Sequence, residues 1–519
     1  MKPHFPILVA TLVWLAASCK VGPNFSIPTS RVAGQWQGNA GVANKAHRAA
    51  EESWWRRFKD PVLDQLVASA FRNNLSLQVA GVRILEARAQ LNRSIGNLFP
   101  QQQALTGQLD YTRLNDGVVT AIPGIKRDYL SDQVLFAASW EMDFWGKYRR
   151  GIESDRASYL GAIADYDNAL VTLIADVASS YANIRTLEER LSVARKNLGL
   201  QQESLRIAKV QFGAGETSER DVQQATTQLG QTEAQIPRFE EARSQTKDGL
   251  AVLLGRTPGE VDRSLAGPSR IPTAPSSVVA GIPKDLLRRR PDVRAAELAA
   301  ASKSALIGVA EAAMYPSFSL TGEFGATGNN EGNHSLSDIF NWESRALSAG
   351  GGFVFPIFNY GRLINQVRVQ NAQFQAAVLR YQNTVLSAQR EVEDGLAAFS
   401  NEQRAVTVLS RAAAAAGRSA ELALIQYKGG QTDYTTVVSA QQNELAVEDS
   451  LASTRGNVVL GIVAVYRALG GGWQLRHGHD VISDDVKAEM ARRTNWGRML
   501  EPAHHLPPDP PAAHTGSTR

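Results

Sequence analysis

The stretch QYKGGQTDYTTV, residues 426–437, repeats a pattern found in QFGAGETSERDV, residues 211–222. Each stretch has an aromatic residue, then a glycine three positions on, then a threonine two positions after the glycine. The aromatic residues Phe212 and Tyr427 are 427 − 212 = 215 positions apart, and so are Gly215 and Gly430. Two copies of one turn at a fixed offset indicate an internal repeat.

The same offset recurs at other landmarks of the chain. DFWGK (143–147) matches FNYGR (358–362), and VLLG (252–255) matches RALG (467–470), each at 215. LFPQQQALTG (98–107) pairs with MYPSFSLTG (314–322) at 216 for the proline and 215 for Leu-Thr-Gly. These landmarks predict a first structural repeat over 60–270 and a second over 280–473, joined by the Pro/Ser-rich segment 267–283.

Both repeats have the same predicted order of elements: a helix, two β-like runs, a very long helix, a glycine turn and a second helix. The predicted ranges are 74–98, 101–114, 131–144, 147–212 and 217–254 in the first copy, and 291–314, 316–328, 345–358, 362–428 and 432–469 in the second. The class is therefore α+β. Two strands in each copy give four strands per chain.

The long helix of the first copy carries a narrow apolar stripe in steps of mostly four and three residues. Its members are Tyr159, Ile163, Tyr166, Leu170, Leu173, Val177, Tyr181, Ile184, Leu187, Leu191, Ala194 and Leu198. Such a heptad stripe is typical of a coiled coil, and a helix of this length spans roughly 100 Å. One alternative is a solitary coiled-coil rod. Four such segments joined as two hairpins favour a wall of helices.

The β-like runs alternate between apolar and polar residues. This alternation is the signature of a membrane β-barrel, in which apolar side chains face lipid and polar side chains face the lumen. It predicts lipid-facing Phe136, Trp140, Phe318, Phe353 and Phe355, and lumen-facing Glu141, Asp143 and Glu323. Aromatic residues near the strand ends predict an interfacial girdle: Trp140, Phe144, Trp145, Phe355, Phe358 and Tyr360. The alternative is a soluble sandwich with one buried face.

Four strands are too few to close a barrel, and unpaired backbone groups in lipid cost several kcal/mol each. The strands are therefore expected to be shared between chains. Two chains would give eight strands with a lumen filled by side chains, and three would give twelve strands around a passage.

The N-terminus, MKPHFPILVATLVWLAASCK, has the features of an export signal. The small residues Ala16, Ala17 and Ser18 precede Cys19, the only cysteine in the chain. This order predicts a lipoprotein signal peptide over 1–18, lipidation of Cys19 and an extended segment over 19–60. Lys20 in place of an aspartate predicts delivery to the outer membrane. The alternative is an ordinary signal peptide followed by a chance cysteine.

The composition excludes several other classes. A net charge of +4 is too weak to indicate a nucleic-acid surface. No Ser/His/Asp set is placed by a motif, and LSAGGGF (347–353) lacks the lysine and the helix start of a phosphate loop. Neither RHGHD (476–480) nor His504–His505 has the spacing of a metal site, so no metal and no cofactor are predicted. The segment 474–519 is interpreted as a polar tail, partly disordered.

Several motifs resemble the TolC-like outer-membrane efflux proteins, in particular the lipoprotein branch called NodT-like that serves resistance–nodulation–division pumps. They are CKVGPNF, WWRRFKDPVLDQLVASAFRNNLSL, LLRRRPDVRAAE, YPSFSLTG and the two turns QFGAGET and QYKGGQT. The resemblance runs from Cys19 to about Trp473. It implies a homotrimer with a twelve-stranded barrel in outer-membrane lipid, continuous with a long periplasmic α-helical barrel. It also implies no enzymatic activity.

In that family the two turns are the periplasmic tips, where an adaptor protein docks and links the duct to an inner-membrane transporter. The resemblance therefore implies adaptor contacts at Gly215, Glu216, Thr217, Gly430, Gln431 and Thr432. It implies a periplasmic gate lined or braced by Tyr434, Thr435, Ser439 and Gln442. Many relatives carry Asp and Arg at the positions of Ser439 and Gln442, so this chain departs from an ion-pair gate there. Asp433, or the cluster Glu219, Arg220 and Asp221, is a candidate substitute, although the cluster also fits an ordinary solvated helix start.

Three functions compete at this point. The first is the exit duct of an efflux pump for small molecules, which the Cys19 signal and the VGPNF start favour. The second is an outer-membrane duct for type I polypeptide secretion, which the same fold can serve. The third is an enzyme or structural lipoprotein with a coiled coil. The repeat, the alternating strands and the missing catalytic set argue against the third.

Overall fold

The computed structural model describes residues 20–34, 36, 52–115, 127–267, 269–275, 289–330 and 335–506. The predicted signal peptide and Cys19 lie outside these residues. The chain divides into two compact units. Unit 1 consists of Glu86–Gly161 and Ala296–Tyr381 with the N-terminal segment through Pro28. Unit 2 consists of Thr29–Leu85, Ala162–Ala295 and the chain from Gln382 onward.

The long helices repeat with matching lengths. Helices α1 (Pro61–Asn73) and α2 (Leu75–Gly96) precede α3 (Lys147–Gly213) and α4 (Glu219–Leu253). Helix α5 (Pro291–Ala312) precedes α6 (Arg362–Lys428) and α7 (Tyr434–Ala468). Helices α3 and α6 have 67 residues each, and α4 and α7 have 35 each. Both pairs start 215 positions apart, since 362 − 147 and 434 − 219 are equal.

The apolar stripe predicted for α3 is buried. Ten of its twelve members are buried, and Leu187 and Leu198 are half-buried. A narrow stripe of this kind stabilises a helix only by packing against other helices. None of the helices in the described ranges contains a stretch both long and apolar enough to cross a bilayer.

The sheet is a four-stranded antiparallel meander in the order β1 (Gln102–Arg113), β2 (Asp128–Met142), β3 (Ser317–Asn329) and β4 (Arg345–Val354). One row across all four strands is apolar: Leu105, Phe136, Phe324 and Leu347 stand opposite one another. The adjacent row, on the other face, consists of Ala104, Ala137, Glu323 and Ser348. Directly paired residues share a face. The register therefore places Phe136, Trp140, Phe318 and Phe353 on one face and Glu141 and Glu323 on the other.

Two residues of the predicted faces lie beyond the strands. Strand β2 ends at Met142, and Asp143 caps the start of α3 by accepting from Tyr148 N at 2.9 Å and Arg149 N at 3.0 Å. Its carboxylate is therefore a helix cap and not a strand side chain. Strand β4 ends at Val354, short of the predicted 358, where it pairs with Ser317, the first residue of β3. Phe355 consequently follows the strand.

Glu141 lies on the polar face next to the end of β2, and its carboxylate is hydrogen-bonded to other side chains. Its carboxylate accepts from Lys147 Nζ at 3.0 Å and from the Tyr148 hydroxyl at 3.0 Å. Glu323 lies in the middle of β3 and is exposed. Of the two predicted lumen carboxylates in the strands, Glu323 is therefore the more open one.

The segment 474–506 is folded, which differs from the polar tail expected from its composition. Helix α8 (Asp484–Arg493) and the short helix α9 (Pro502–His505) belong to it. Arg476 Nε donates to Asp167 Oδ1 at 2.7 Å, and His505 is fully buried with Nε2 at 3.1 Å from Asp480 Oδ1. Burial opposes charge on Asp480, but His505 and Lys487 hold its pKa below the usual value. The Arg476–Asp167 bond ties the segment to helix α3, and the His505–Asp480 contact connects two parts of the segment to each other.

Candidate docking tips and gate of the helical hairpins

Both glycine turns have the same backbone geometry. Gly215 has φ +76° and Gly430 has φ +68°, the left-handed region in which glycine carries no side-chain penalty. In the second turn, Gly430 N donates to Tyr427 O at 3.0 Å and Gln431 N donates to Gln426 O at 2.8 Å. The first turn has the same two bonds, from Gly215 to Phe212 and from Glu216 to Gln211. This is the Schellman ending of a helix, and it lies at the glycine turn that the sequence predicted.

The returning helices begin at Glu219 and Tyr434, two residues after the predicted starts at 217 and 432. Ser218 is the N-cap of α4 and Asp433 is the N-cap of α7, each one residue after the threonine. The Asp433 carboxylate accepts from the Thr436 N–H at 3.1 Å and from the Thr436 hydroxyl at 2.8 Å. These bonds hold the pKa of Asp433 below its usual value, with the hydroxyl contributing most. An aspartate is a stronger cap than a threonine, so Asp433 and not Thr432 is the N-cap of α7.

An aromatic pair fills the base of the second turn. Tyr427 and Tyr434 are 4% and 1% exposed, and their rings meet edge to face with centroids 5.0 Å apart. They pack with Ala208 of α3, Ala225 of α4 and Val437 of α7. Tyr434 was predicted to line or brace the gate. Because it is buried inside its own chain, it braces the turn and does not line a passage.

The predicted contact residues of the tips divide into exposed and bonded groups. Gly215, Glu216, Gly430 and Gln431 are exposed, and Thr217 and Thr432 are half-buried. The Thr217 hydroxyl donates to the Asp221 carboxylate, which also accepts from Ser218 Oγ at 3.3 Å. Asp221 is only 5% exposed, whereas Glu219 and Arg220 are exposed. The interpretation of a solvated helix start therefore fits Glu219 and Arg220 but is wrong for Asp221.

The predicted gate residues farther along α7 make neutral contacts. Thr435 and Ser439 are exposed, and Gln442 Nε2 donates to Gln228 Oε1 on α4 at 2.6 Å. The neighbouring Gln441 is buried and donates to Ser204 Oγ on α3 at 2.7 Å. At this level hydrogen bonds between uncharged side chains connect the helices, consistent with the absence of Asp and Arg at positions 439 and 442.

Ion pairs between the hairpins follow one to two turns farther from the tip. Lys196 Nζ lies 2.7 Å from Glu448 and 3.6 Å from Glu444. Arg190 holds Asp449 with two bonds of 2.7 Å and 2.9 Å. Burial raises the pKa of Glu444, and repulsion from Glu448 raises it further. The attraction of Lys196 acts in the opposite direction but does not cancel this rise. No sequence pattern indicates these pairs, because roughly 250 positions separate the partners.

Known proteins match the chain over most of its length. The family described as "Outer membrane efflux protein" matches residues 66–256 and 282–471. Nodulation protein T of Rhizobium leguminosarum bv. viciae is 31% identical over 471 residues, covering 90% of this chain and 94% of that protein. The toluene efflux pump outer membrane protein TtgC of Pseudomonas putida is 30% identical over 478 residues, covering 91% and 96%. The solved outer-membrane channel OprN is 31% identical with a TM-score of 0.82, covering 88% of this chain and all of that one.

These matches confirm the internal repeat, because the family matches once in each half of the chain. They also confirm the resemblance noted from the motifs and the predicted fold class, a trimeric outer-membrane channel with four strands and two long helical hairpins per chain. The chain belongs to the outer membrane efflux protein family.

Proposed function

We propose that this protein is the outer-membrane exit duct of a tripartite efflux pump. It passively conducts small molecules (drugs, metabolites or metal ions) that an inner-membrane transporter delivers through a periplasmic adaptor. The observation that carries this proposal is the pair of Schellman turns 215 positions apart at the ends of helices of equal length. Two such tips per chain give six in a trimer, a ring of exposed polar turns suited to docking.

The two faces of the sheet support a duct through the membrane. The apolar face, with Phe136, Trp140, Phe318 and Phe353, is assigned to lipid. The polar face, with Glu141 and Glu323, is assigned to the lumen. Polar cargo remains in contact with water in such a lumen.

The tips support the assignment of the partners. Glu216 and Gln431 are exposed beside glycines whose geometry is fixed by backbone hydrogen bonds. We assign these turns, with Thr217 and Thr432, to the adaptor surface. We assign Thr435, Ser439 and the bonded pair Gln442–Gln228 to the closed gate, together with Asp433 at the start of α7.

Deletion and complementation test this function. Cells lacking the gene are expected to accumulate a panel of toxic solvents, dyes and metal ions, and the intact gene should restore export of at least one of them. Secretion of polypeptides into the medium should be the same in both strains. Loss of a secreted polypeptide with unchanged small-molecule export would instead support type I secretion, and no change in either would contradict both ducts.

Lipidation of Cys19 gives a separate expected result. Cys19→Ser should abolish labelling of the protein with a fatty-acid probe, because the thiol that carries the lipid is gone. Ser18→Ala is the matched control and should keep its label. The barrel supplies the main anchor, since a single acyl chain gives only marginal, reversible membrane binding. The Cys19→Ser variant is therefore expected to remain in the outer membrane, and a normal label on it would contradict the assignment.

A further inference from the structure

A pocket of about 860 Å³ lies on the apolar face of the sheet. One wall consists of strand residues of that face, among them Leu109, Val134 and Phe324. The other wall is the rim loop, residues 335–344 between β3 and β4. Both walls lie toward the strand ends opposite those from which α3 and α6 continue. The volume is typical of a ligand pocket, about 300–1,000 Å³.

The rim loop is held by its own hydrogen bonds and packs on the sheet. It consists of two short 3₁₀ helices, Leu336–Phe340 and Trp342–Ser344. Asp338 Oδ2 accepts from Ser335 N at 2.8 Å, and Asp338 O accepts from Ser344 Oγ at 2.6 Å. Ile339 lies against β3, because a Cβ added to Gly328 would be 3.5 Å from Ile339 Cβ. The loop therefore covers part of a face that is otherwise apolar.

Asp132 provides the pocket with an acceptor that lacks a donor. It lies on the apolar face directly opposite Gly328, and its Oδ1 is buried. No group in the described ranges donates a hydrogen bond to this oxygen. Gly328 leaves the space that the carboxylate occupies, since a Cβ there would come within 2.5 Å of Oδ1. A buried acceptor without a donor is unfavourable, so Asp132 favours a ligand that carries a hydroxyl or an amide N–H.

Arg345 provides the pocket with a cation. It is the first residue of β4, it belongs to the apolar face, and it is exposed. Its guanidinium carbon lies 3.6 Å from the centre of the Trp342 ring. Within the described part of the chain its partner is this ring and not a carboxylate, and Trp342 is itself 76% exposed. Arginine binds phosphate through paired hydrogen bonds, and tryptophan is enriched at the depth of lipid headgroups.

We propose that this pocket binds a phosphorylated glycolipid of the outer leaflet of the outer membrane. Arg345 binds a phosphate of the lipid, and a sugar hydroxyl or an amide N–H of the headgroup donates to Asp132 Oδ1. An acyl chain lies along the apolar wall beside Val134 and Phe324. The inference rests on the proposed function, because it requires the apolar face to contact lipid and the rim loop to lie at the outer end of the duct.

Lipid binding to the purified full-length trimer tests the chemical class of the ligand. The trimer is stripped of lipid in detergent, and diphosphoryl lipid A is added as the probe. Native mass spectrometry should show one bound molecule per chain. Lipid A without phosphates, and phosphatidylethanolamine, should bind more weakly by about tenfold or more, the effect of losing a hydrogen bond to a charged group. Equal binding of lipid A with and without phosphates, or a preference for phosphatidylethanolamine, would overturn the proposal.

Arg345→Gln tests the phosphate contact. This variant should bind diphosphoryl lipid A about tenfold more weakly than the parent protein, at the level of the lipid without phosphates. Arg362→Gln makes the same change of charge at an exposed arginine at the start of α6 and should bind as the parent protein does. Parental affinity in Arg345→Gln would show that the pocket does not bind phosphate.

Two glycines on the apolar face of β3 test the position of Asp132. Gly328→Ala should displace the carboxylate and weaken lipid binding. Gly322→Ala is its matched control and should bind normally, because a Cβ there meets only Ser348 O at 3.8 Å. Asp132→Val removes the acceptor and makes the pocket more apolar, yet it should also weaken binding. Equal or tighter binding by Asp132→Val would show that the carboxylate does not contact the lipid and would overturn the proposed site.

Export measured in the same strains separates this inference from the proposed function. Arg345→Gln and Asp132→Val should export as the parent protein does, because the pocket lies on the lipid side of the sheet. If the trimer restores export but does not bind lipid A, the lipid site is wrong and the duct stands. If the trimer binds lipid A but the intact gene restores no export, the duct is wrong and the lipid site stands.

Discussion

Replacing Phe136 by arginine is expected to prevent assembly of the outer-membrane trimer. Phe136 is 48% exposed in the centre of β2, between Leu105 and Phe324 on the apolar face. A lipid-facing arginine near the bilayer midplane costs about 2–4 kcal/mol. The trimer carries the substitution three times, so the total is comparable with the whole stability of an ordinary domain. The measurement is the heat-resistant trimer band in the outer-membrane fraction.

The next residue provides the matched control. Ala137 lies on the opposite face of the same strand, directly across from Glu323. Ala137→Arg introduces the same side chain on the polar face, next to a carboxylate, and should assemble to normal levels while altering conduction. Equal assembly of the two variants, or equal loss, would reject the assignment of lipid and lumen to the two faces.

Replacing Gly430 by valine is expected to abolish efflux while leaving the trimer intact. A β-branched residue in the left-handed region costs about 1–2 kcal/mol. A Cβ at this glycine meets nothing within 4 Å, so the cost is confined to the backbone of the turn. Because the walls of the hairpins are held by the buried stripe and the ion pairs, the fold should survive. The turn itself should not keep the shape that an adaptor must match.

Two variants calibrate this result. Gly429→Val changes the preceding glycine, which lacks a positive φ and where a Cβ makes only an ordinary contact at 3.6 Å, and it should export normally. Gly215→Val should also impair efflux, but less than Gly430→Val does. No buried aromatic pair braces the first turn, since Phe212 is 46% exposed. If Gly430→Val exports normally, the turn is not the docking surface. If Gly430→Val forms no trimer, the turn is needed for folding and its assignment to docking loses support.

The sequence was sufficient for the elements that depend on periodicity. The offset of 215 and the heptad stripe located helices α2 to α7 to within a few residues, but not α1, and the alternation in β2 and β3 assigned Phe136 and Glu323 to opposite faces. The predicted strand ends were less accurate, because Asp143 caps a helix instead of continuing β2, and β4 stops where its partner β3 begins at Ser317.

Contacts between distant parts of the chain were not predictable from patterns. Tyr434 resembles a surface residue at a helix start, yet Tyr427 and Ala208 enclose it. Nothing in a single sequence indicates that Lys196 and Glu448 are in contact. The segment 474–506 has a polar composition, but Arg476 pairs with Asp167 and His505 contacts Asp480 at hydrogen-bond distance, so these side chains have partners. Buried polar groups are retained only when paired, and no periodicity records the partner.

Site-specific photo-cross-linking at Gln431 in living cells tests the central claim most directly. Gln431 is exposed immediately after the left-handed glycine of the second turn. We expect a cross-linked product between the trimer and a periplasmic adaptor, identified by mass spectrometry, that disappears when Gly430→Val is added. A probe at Glu343, in the loop before β4, should give no such product. Adaptor capture at Glu343 but not at Gln431, or an unchanged product in the Gly430→Val background, would contradict the assignment of the tips as the docking surface.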